Sequence, residues 1–477
     1  MLSICRTAPS GRSCKNSKAA VSYSIKVFLK YKRKSVTTHS KTNSNLLSVA
    51  NIDLVSLFDC IKTACQRCSE GMIKSSKILL VRYFLLVALV QFVAVSSVQA
   101  QKTVKKDTTI ILLNDLTVQI QCSQALDDLY NFKFDRAENG FRSLRAQYRW
   151  HPLPYFLMGL IEWWKIMPNT KDTSHDKKFL AYMDSTITIA ENLYDNYPEY
   201  KIEATFFLSA AYGFKGRLYS DEERKNWSKA ASAGKDALDY LEESKTKQDL
   251  SPELLFGDAL FNYFSVWVPE NYPALKMILW MFPKGDKALG LKQLKEVSYN
   301  AFYTRTEAMV WLMRILNSYE NDQPRALEIS RYLHETYPDN PFFHRYYARI
   351  LYSMGRYSVA EPICLDILAR IDSAQLGYEA TSGRYASFFL GQIYEAHKRP
   401  EDAKKYYKMC IKFAEEIDVA DSGYSLYSLI ALGEIAEKEG NKAEAKKYFK
   451  EVKKKSGRKD EAFKTAKQRL KKLEKGD

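Results

Sequence analysis

The sequence predicts an all-α chain, an α-α superhelical solenoid of helix hairpins with an irregular middle segment and a C-terminal capping helix. Three observations carry that expectation. Segments made of an apolar helix, a short polar or Gly turn and a second helix recur along the chain. Small residues return at a fixed separation: Ala326 and Ala360 are 34 positions apart, and so are Ala125 and Gly159. Rings are plentiful where Gly is scarce, with 32 Tyr and 24 Phe against 19 Gly, as expected if aromatics fill the holes beside closely crossing helices.

The first 71 residues fit none of this. Ser, Lys, Asn and Thr dominate them, acids are scarce and no apolar period persists, so residues 1–71 read as disordered or as an upstream extension whose true start is Met72; a transit peptide has the same composition. Cys65-x-x-Cys68 has no second pair or histidine at zinc spacing, so no metal is expected there. From Met72 the chain has the three parts of an export signal. Lys74, Lys77 and Arg82 precede an apolar core at residues 83–95, and Val98-Gln99-Ala100 supplies the cleavage site before Gln101. Residues 72–100 are therefore expected to be a signal peptide, or a signal anchor if the run 78–95 is retained with Arg82 inside it. The compartment that follows is the periplasm or outer membrane of a bacterial envelope.

The formal net charge of +16 suggests nucleic acid, but its distribution argues otherwise. Residues 1–100 carry +12, the last 37 residues +9, and residues 101–440 sum to −5. A broad phosphate-binding face is not expected.

Within the mature chain the divisions are residues 101–218 as N-terminal hairpins, 219–303 as an irregular helical segment, 304–458 as a C-terminal array and 459–477 as a basic cap. Helix starts show at Ser251-Pro252-Glu253, Asp286 and Asp460, where side chains can cap free N–H groups. The last repeat has Leu432-Gly433 on its first helix, Gly440 at the turn, and Ala445 and Phe449 on its second. The preceding one has Leu390-Gly391, Tyr394, Ala403 and Tyr407. Near the start, Phe134, Ala137 and Phe141 fit the same pattern, and Tyr337-Pro338 closes the repeat that holds Ala326. This arrangement resembles the tetratricopeptide repeat (TPR), a 34-residue helix-turn-helix with small residues where the helices cross. Residues 252–294 also resemble the tetratricopeptide-repeat-protein-39 family, in their aromatic helix, Pro-led apolar segment and Gly-Asp followed by Gly-Leu; that likeness implies an adaptor and no chemistry.

The apolar stretch LKMILWMF, residues 275–282, reads as an extra helix plugging the solenoid or as an exposed patch for membrane or partner. The terminal helix, with Phe463, Ala466, Leu470 and Leu473 on one face and Lys and Arg elsewhere, reads as a solvating cap.

No H-E-x-x-H, G-x-S-x-G or Gly-rich phosphate loop occurs, so no catalytic residue, cofactor or metal is expected. His334, Glu335 and His344 lack the spacing that would hold them on one face as ligands. Ser456-Gly-Arg-Lys459 has the S-x-x-K spacing without its companion motifs. Cys364 and Cys410 are expected to be buried, and Trp163-Trp164 to be core or groove lining.

What remains is the groove that the TPR resemblance implies. Its first helices would direct Trp311 and Ile315, then Phe342, Arg345, Arg349 and Tyr352, then Tyr385, Phe388, Gln392 and Glu395, then Tyr427, Glu434 and Glu437 into a concave surface. The two-Lys, two-Asn clamp of chaperone-binding relatives is missing. Arg345 and Arg349, one turn apart, would grip a carboxylate or pair with an acid of an adjacent repeat. The expected partner is a protein or extended peptide, in a membrane-associated complex if the anchor is kept, and not nucleic acid. The alternative is a small-molecule or lipid-binding accessory subunit that uses Trp267, Trp280 and their apolar neighbours.

Overall fold

The structure, a computed structural model, describes residues 112–273, 283–421 and 423–475. Residues 1–71 and 72–100, expected to be an upstream extension and an export signal, and the apolar stretch with Trp280 lie outside the described residues. Among them are seventeen α-helices and no strand: α1 (Leu116–Tyr130), α2 (Phe134–Gln147), α3 (Leu153–Ile166), α4 (Asp176–Asn196), α5 (Lys201–Ser220), α6 (Trp227–Ser244), α7 (Leu255–Asn271), α8 (Lys287–Asn300), α9 (Arg305–Ser318), α10 (Gln323–Thr336), α11 (Pro341–Ser353), α12 (Tyr357–Asp372), α13 (Ala380–Ala396), α14 (Pro400–Glu416), α15 (Gly423–Lys438), α16 (Lys442–Lys455) and α17 (Glu461–Lys475). They pack in succession as eight pairs followed by a single last helix.

The small-residue spacing explains the pairing at atomic scale. A Cβ on Gly391 would lie 2.6 Å from the Tyr407 ring, and one on Gly433 2.7 Å from the Phe449 ring. Only Gly lets the aromatic of the second helix reach that far under the first. Ala403, Tyr407, Ala445 and Phe449 are all fully buried as a result, as are Ala326 and Ala360 in α10 and α12.

Capping fixes several helix starts. The Asp286 carboxylate accepts from the N–H groups of Ala288 (2.8 Å) and Leu289 (3.0 Å) at the head of α8. Ser251 Oγ accepts from Glu253 N at 3.4 Å. Asp460 precedes α17 as expected, but its carboxylate accepts from Gly457 N at 2.7 Å and so orders the loop before the helix.

In the middle of the chain the stacking runs through two 3-10 turns, Lys245–Leu250 on α6 and Pro252–Leu254 on α7. Glu253, 2% exposed, anchors this irregular region. Its carboxylate accepts from the backbone N–H groups of Phe302 (2.6 Å), Tyr303 (2.9 Å) and Thr304 (2.9 Å) and from the Thr304 hydroxyl (2.6 Å). One buried carboxyl group thus gathers four donors and fixes the start of the next array. Trp267 is half-buried, its ring 4.2 Å from that of Tyr319.

Contacts between distant parts of the sequence change the picture of an open groove. Asn340 Nδ2 donates to the Tyr130 carbonyl at 2.9 Å, and the Trp164 indole donates to Glu307 at 2.9 Å. The Trp164 ring also meets Phe342 and Phe343 edge-on, and Tyr130 packs on Tyr337. The early helices α1 and α3 therefore lie against α9 and α11. Trp164, 0% exposed, is buried by this closure, because apolar rings leave water wherever a matching surface exists.

At the other end, α17 buries Ala462, Ala466, Leu470 and Leu473 with residues of α15 and α16, while Phe463 is only half-buried. Arg469 of this cap pairs with Glu434 and reaches Glu437 at 3.5 Å.

Candidate functional site

The closure leaves a half-open cavity of about 500 Å³ between the early and late helices. It is walled by α3 and the loop after it, by α5, by the facing residues of α9, α11 and α13, and by Ile417 and Val419 beyond α14. That volume lies within the range of ligand pockets, about 300–1,000 Å³. The loop after α3 is tied to the facing walls: Lys171 Nζ donates to the Asp418 carbonyl at 3.0 Å, and Arg345 donates to the Pro168 carbonyl at 3.2 Å.

Five of the residues expected on the groove come together here: Trp311, Phe342, Arg345, Arg349 and Tyr385. Arg345 is 7% exposed and donates also to Ser382 Oγ at 2.9 Å, so it braces the wall as well as charging it. Arg349 lies with its guanidinium 5.9 Å from the Tyr346 ring centre.

The other eight fall elsewhere, for identifiable reasons. Ile315, expected on an open surface, is fully buried in the main hydrophobic core. Tyr352 stacks on Phe389 at 4.3 Å and Phe388 on Tyr424 at 4.4 Å, which gives both rings to hairpin packing. Gln392 donates to the Tyr407 hydroxyl, which in turn donates to Glu395 at 2.9 Å, and Lys438 pairs with Glu395 at 3.1 Å. Tyr427 is half-buried, and Glu434 and Glu437 are held by Arg469 of the cap. None of these eight lines the cavity.

The remaining walls hold residues that local reading missed, Lys171, Arg217, Arg314, Tyr346 and Arg384 among them. Arg314 is one turn along α9 from Trp311, so a helical neighbour of an expected position pointed to it, whereas Arg384 adjoins Tyr385 in sequence, a step that does not by itself predict a shared face. Nothing local marks Arg217, which reaches the cavity from a helix about a hundred residues earlier than α9 and α11. Trp163, 4% exposed, lines the cavity while its neighbour Trp164 is core.

The side chains considered for chemistry are quiet. Burial pushes the Cys122 thiol up to about 12 and Cys410 to about 11, and raises Cys364 further, so none is a thiolate at neutral pH. His334 and His344 stack at 4.4 Å, and among the described residues no group of three His, Cys, Asp or Glu is placed to hold a metal ion.

Fold and cavity together define an all-α helical-repeat protein with a concave, partly closed interior. The family model described as Tetratricopeptide repeat matches residues 385–417 and 426–456, the pairs α13–α14 and α15–α16. The chain thus carries tetratricopeptide repeats in these two hairpins, and such repeats are in general interaction scaffolds that offer extended concave surfaces. No curated protein matches the chain. A solved structure titled as the TPR domain of P58(IPK) aligns over 75% of this chain and 98% of its own at 11% identity, with a TM-score of 0.21, too low to carry an argument.

Proposed function

We propose that this protein is a non-catalytic scaffold of a bacterial envelope, mature from Gln101, which binds a protein or peptide partner from its concave side. The observation that carries this reading is the cavity itself. It lies on the inner side of a repeat array, joins α3, α5, α9, α11 and α13, and contains Trp311, Arg345, Arg349 and Tyr385. Aromatic and Arg side chains carry much of the energy of protein interfaces, and a preformed surface saves the ordering cost that binding otherwise pays. The three-part pattern of an export signal in the sequence of residues 72–100 supports the compartment. Among the described residues no helix is long and apolar enough to cross a membrane.

The test is a crosslinked pull-down of C-terminally tagged protein from its native cells, read by mass spectrometry, which also reports the mature N-terminus. One partner recovered in stoichiometric amount, with bait beginning at Gln101, is the expected result. An intact, folded bait that enriches no protein removes the scaffold reading and favours a small ligand.

A further inference from the structure

The interior cavity collects a charge that the surrounding chain does not have. Residues 101–440 sum to −5, yet Lys171, Arg217, Arg314, Arg345, Arg349 and Arg384 all line it. Among the described residues its one lining carboxylate, Asp221, is already paired with Arg224 at 3.0 Å, and Arg224 also holds Asp176 at 2.6 Å. Among the described residues no carboxylate forms an ion pair with Arg217, Arg314, Arg345 or Arg384.

Rings lie against these guanidiniums, while the buried Glu307 acts on Arg217 and Arg314, and Glu379 on Arg345, without an ion-pair contact. Arg217 lies 4.5 Å from the Trp163 ring centre and 4.8 Å from that of Trp311, and Arg314 lies 5.1 Å from Trp311. Arg345 and Arg384 lie 5.6 and 5.2 Å from Tyr385. Stacking positions a guanidinium plane and leaves its charge and its fork of donors in place. Two buried donors at the wall, Trp163 Nε1 and Arg384 Nε, have no acceptor among the described residues.

The concentrated charge is felt by its neighbours. Burial pushes the Tyr346 phenol up, but Arg314, Arg349, Arg345 and Arg217 outweigh it and hold the phenol below its usual value. Desolvation and the adjacent Arg314 charge, only partly offset by Glu307 and Asp221, push Arg217 itself down to about 9, so it stays charged at neutral pH. An anion placed among these groups would relieve their mutual repulsion and satisfy their donors.

We propose that this cavity is the anchoring subsite for an internal acidic segment of the partner, a peptide in which carboxylates alternate with apolar side chains. The proposal rests on the scaffold reading and names the chemistry of its partner. Carboxylates match the guanidinium forks, and Ile166, Met167, Leu218 and Ile417 between them give an apolar side chain somewhere to go. A bare inorganic anion would leave those apolar walls unused. A single strand of nucleic acid would need open ring faces on which to stack, and here Trp311 and Tyr385 each already carry two guanidiniums.

The test is fluorescence anisotropy of the full chain with a labelled peptide of alternating Glu and Leu, against the same peptide with Gln for Glu. The Glu peptide is expected to bind at least about tenfold more tightly, and the Arg314→Gln/Arg349→Gln double variant to lose that preference while melting as the parent does. If the double variant does not fold, Arg384→Gln is read in its place, with the same expected loss. Equal binding of the two peptides, or no binding of either, overturns the proposal. So does displacement of the Glu peptide by inorganic phosphate as readily as by unlabelled peptide, which would mark a small-anion site. The scaffold reading survives each of those failures if the pull-down still yields a partner whose capture does not depend on Arg314 and Arg349.

Discussion

His344 shows how burial within a repeat sets the chemistry of one side chain. Its ring is 0% exposed, stacks on His334 and places Nδ1 3.0 Å from the Tyr378 hydroxyl. Burial, helped by the charges of His334 and Arg370, pushes its pKa from 6.5 down to about 2, although Asp366 lies 3.7 Å from Nε2. Burial also lowers His334. With a folded value far below the unfolded one, only the unfolded chain takes up a proton as the pH drops. The stability is therefore complete above pH 6.5 and is lost as pH falls below it, by up to about 1.4 kcal/mol per pH unit for His344 alone. Urea unfolding between pH 6.5 and 5, above most carboxylate titration, should show this slope, and His344→Gln should flatten it. An unchanged slope in that variant would assign the pH dependence to other groups.

At the scale of the element, the capping helix α17 separates what packing contributes from what charge contributes. Its apolar face, Ala462, Ala466, Leu470 and Leu473, is buried, whereas the ion pair of Arg469 with Glu434 is partly exposed, at 36% and 27%. Leu470→Ala should cost about 2 kcal/mol or more, and Arg469→Gln less than about 1 kcal/mol. Denaturant unfolding of both variants checks the order, and a larger loss for Arg469→Gln would mean that the cap is held electrostatically. This element was legible in the sequence, because its apolar face repeats within one helix. The hairpins α13–α14 and α15–α16 were legible for the same reason: Gly391 with Tyr407, and Gly433 with Phe449, are each sixteen residues apart and define their crossing locally.

The whole molecule is joined by contacts that no local period encodes. A solenoid whose repeats touch only their neighbours has stability spread along its length. Here Trp164 reaches Glu307, Phe342 and Phe343, and Asn340 reaches Tyr130. Trp164→Ala should cost about 3–5 kcal/mol and split unfolding into separate early and late transitions; a loss below about 1 kcal/mol with a single sharp transition would show that the closure is incidental. The same closure explains which part of the candidate site was hidden. The positions along α9, α11 and α13 could be read from the repeat, and Arg345 and Arg349 were. Arg217 and the loop after α3 arrive from far earlier in the chain, so the groove expected from one array became a cavity between two.

The central claim is that the chain captures a protein partner through this cavity. The most direct measurement is the crosslinked pull-down from native cells performed in parallel with the parent chain and the Arg314→Gln/Arg349→Gln variant. The account predicts one partner in stoichiometric amount on the parent, strongly depleted on an equally folded and abundant variant. Recovery of the same partner in equal amount on both baits would contradict it.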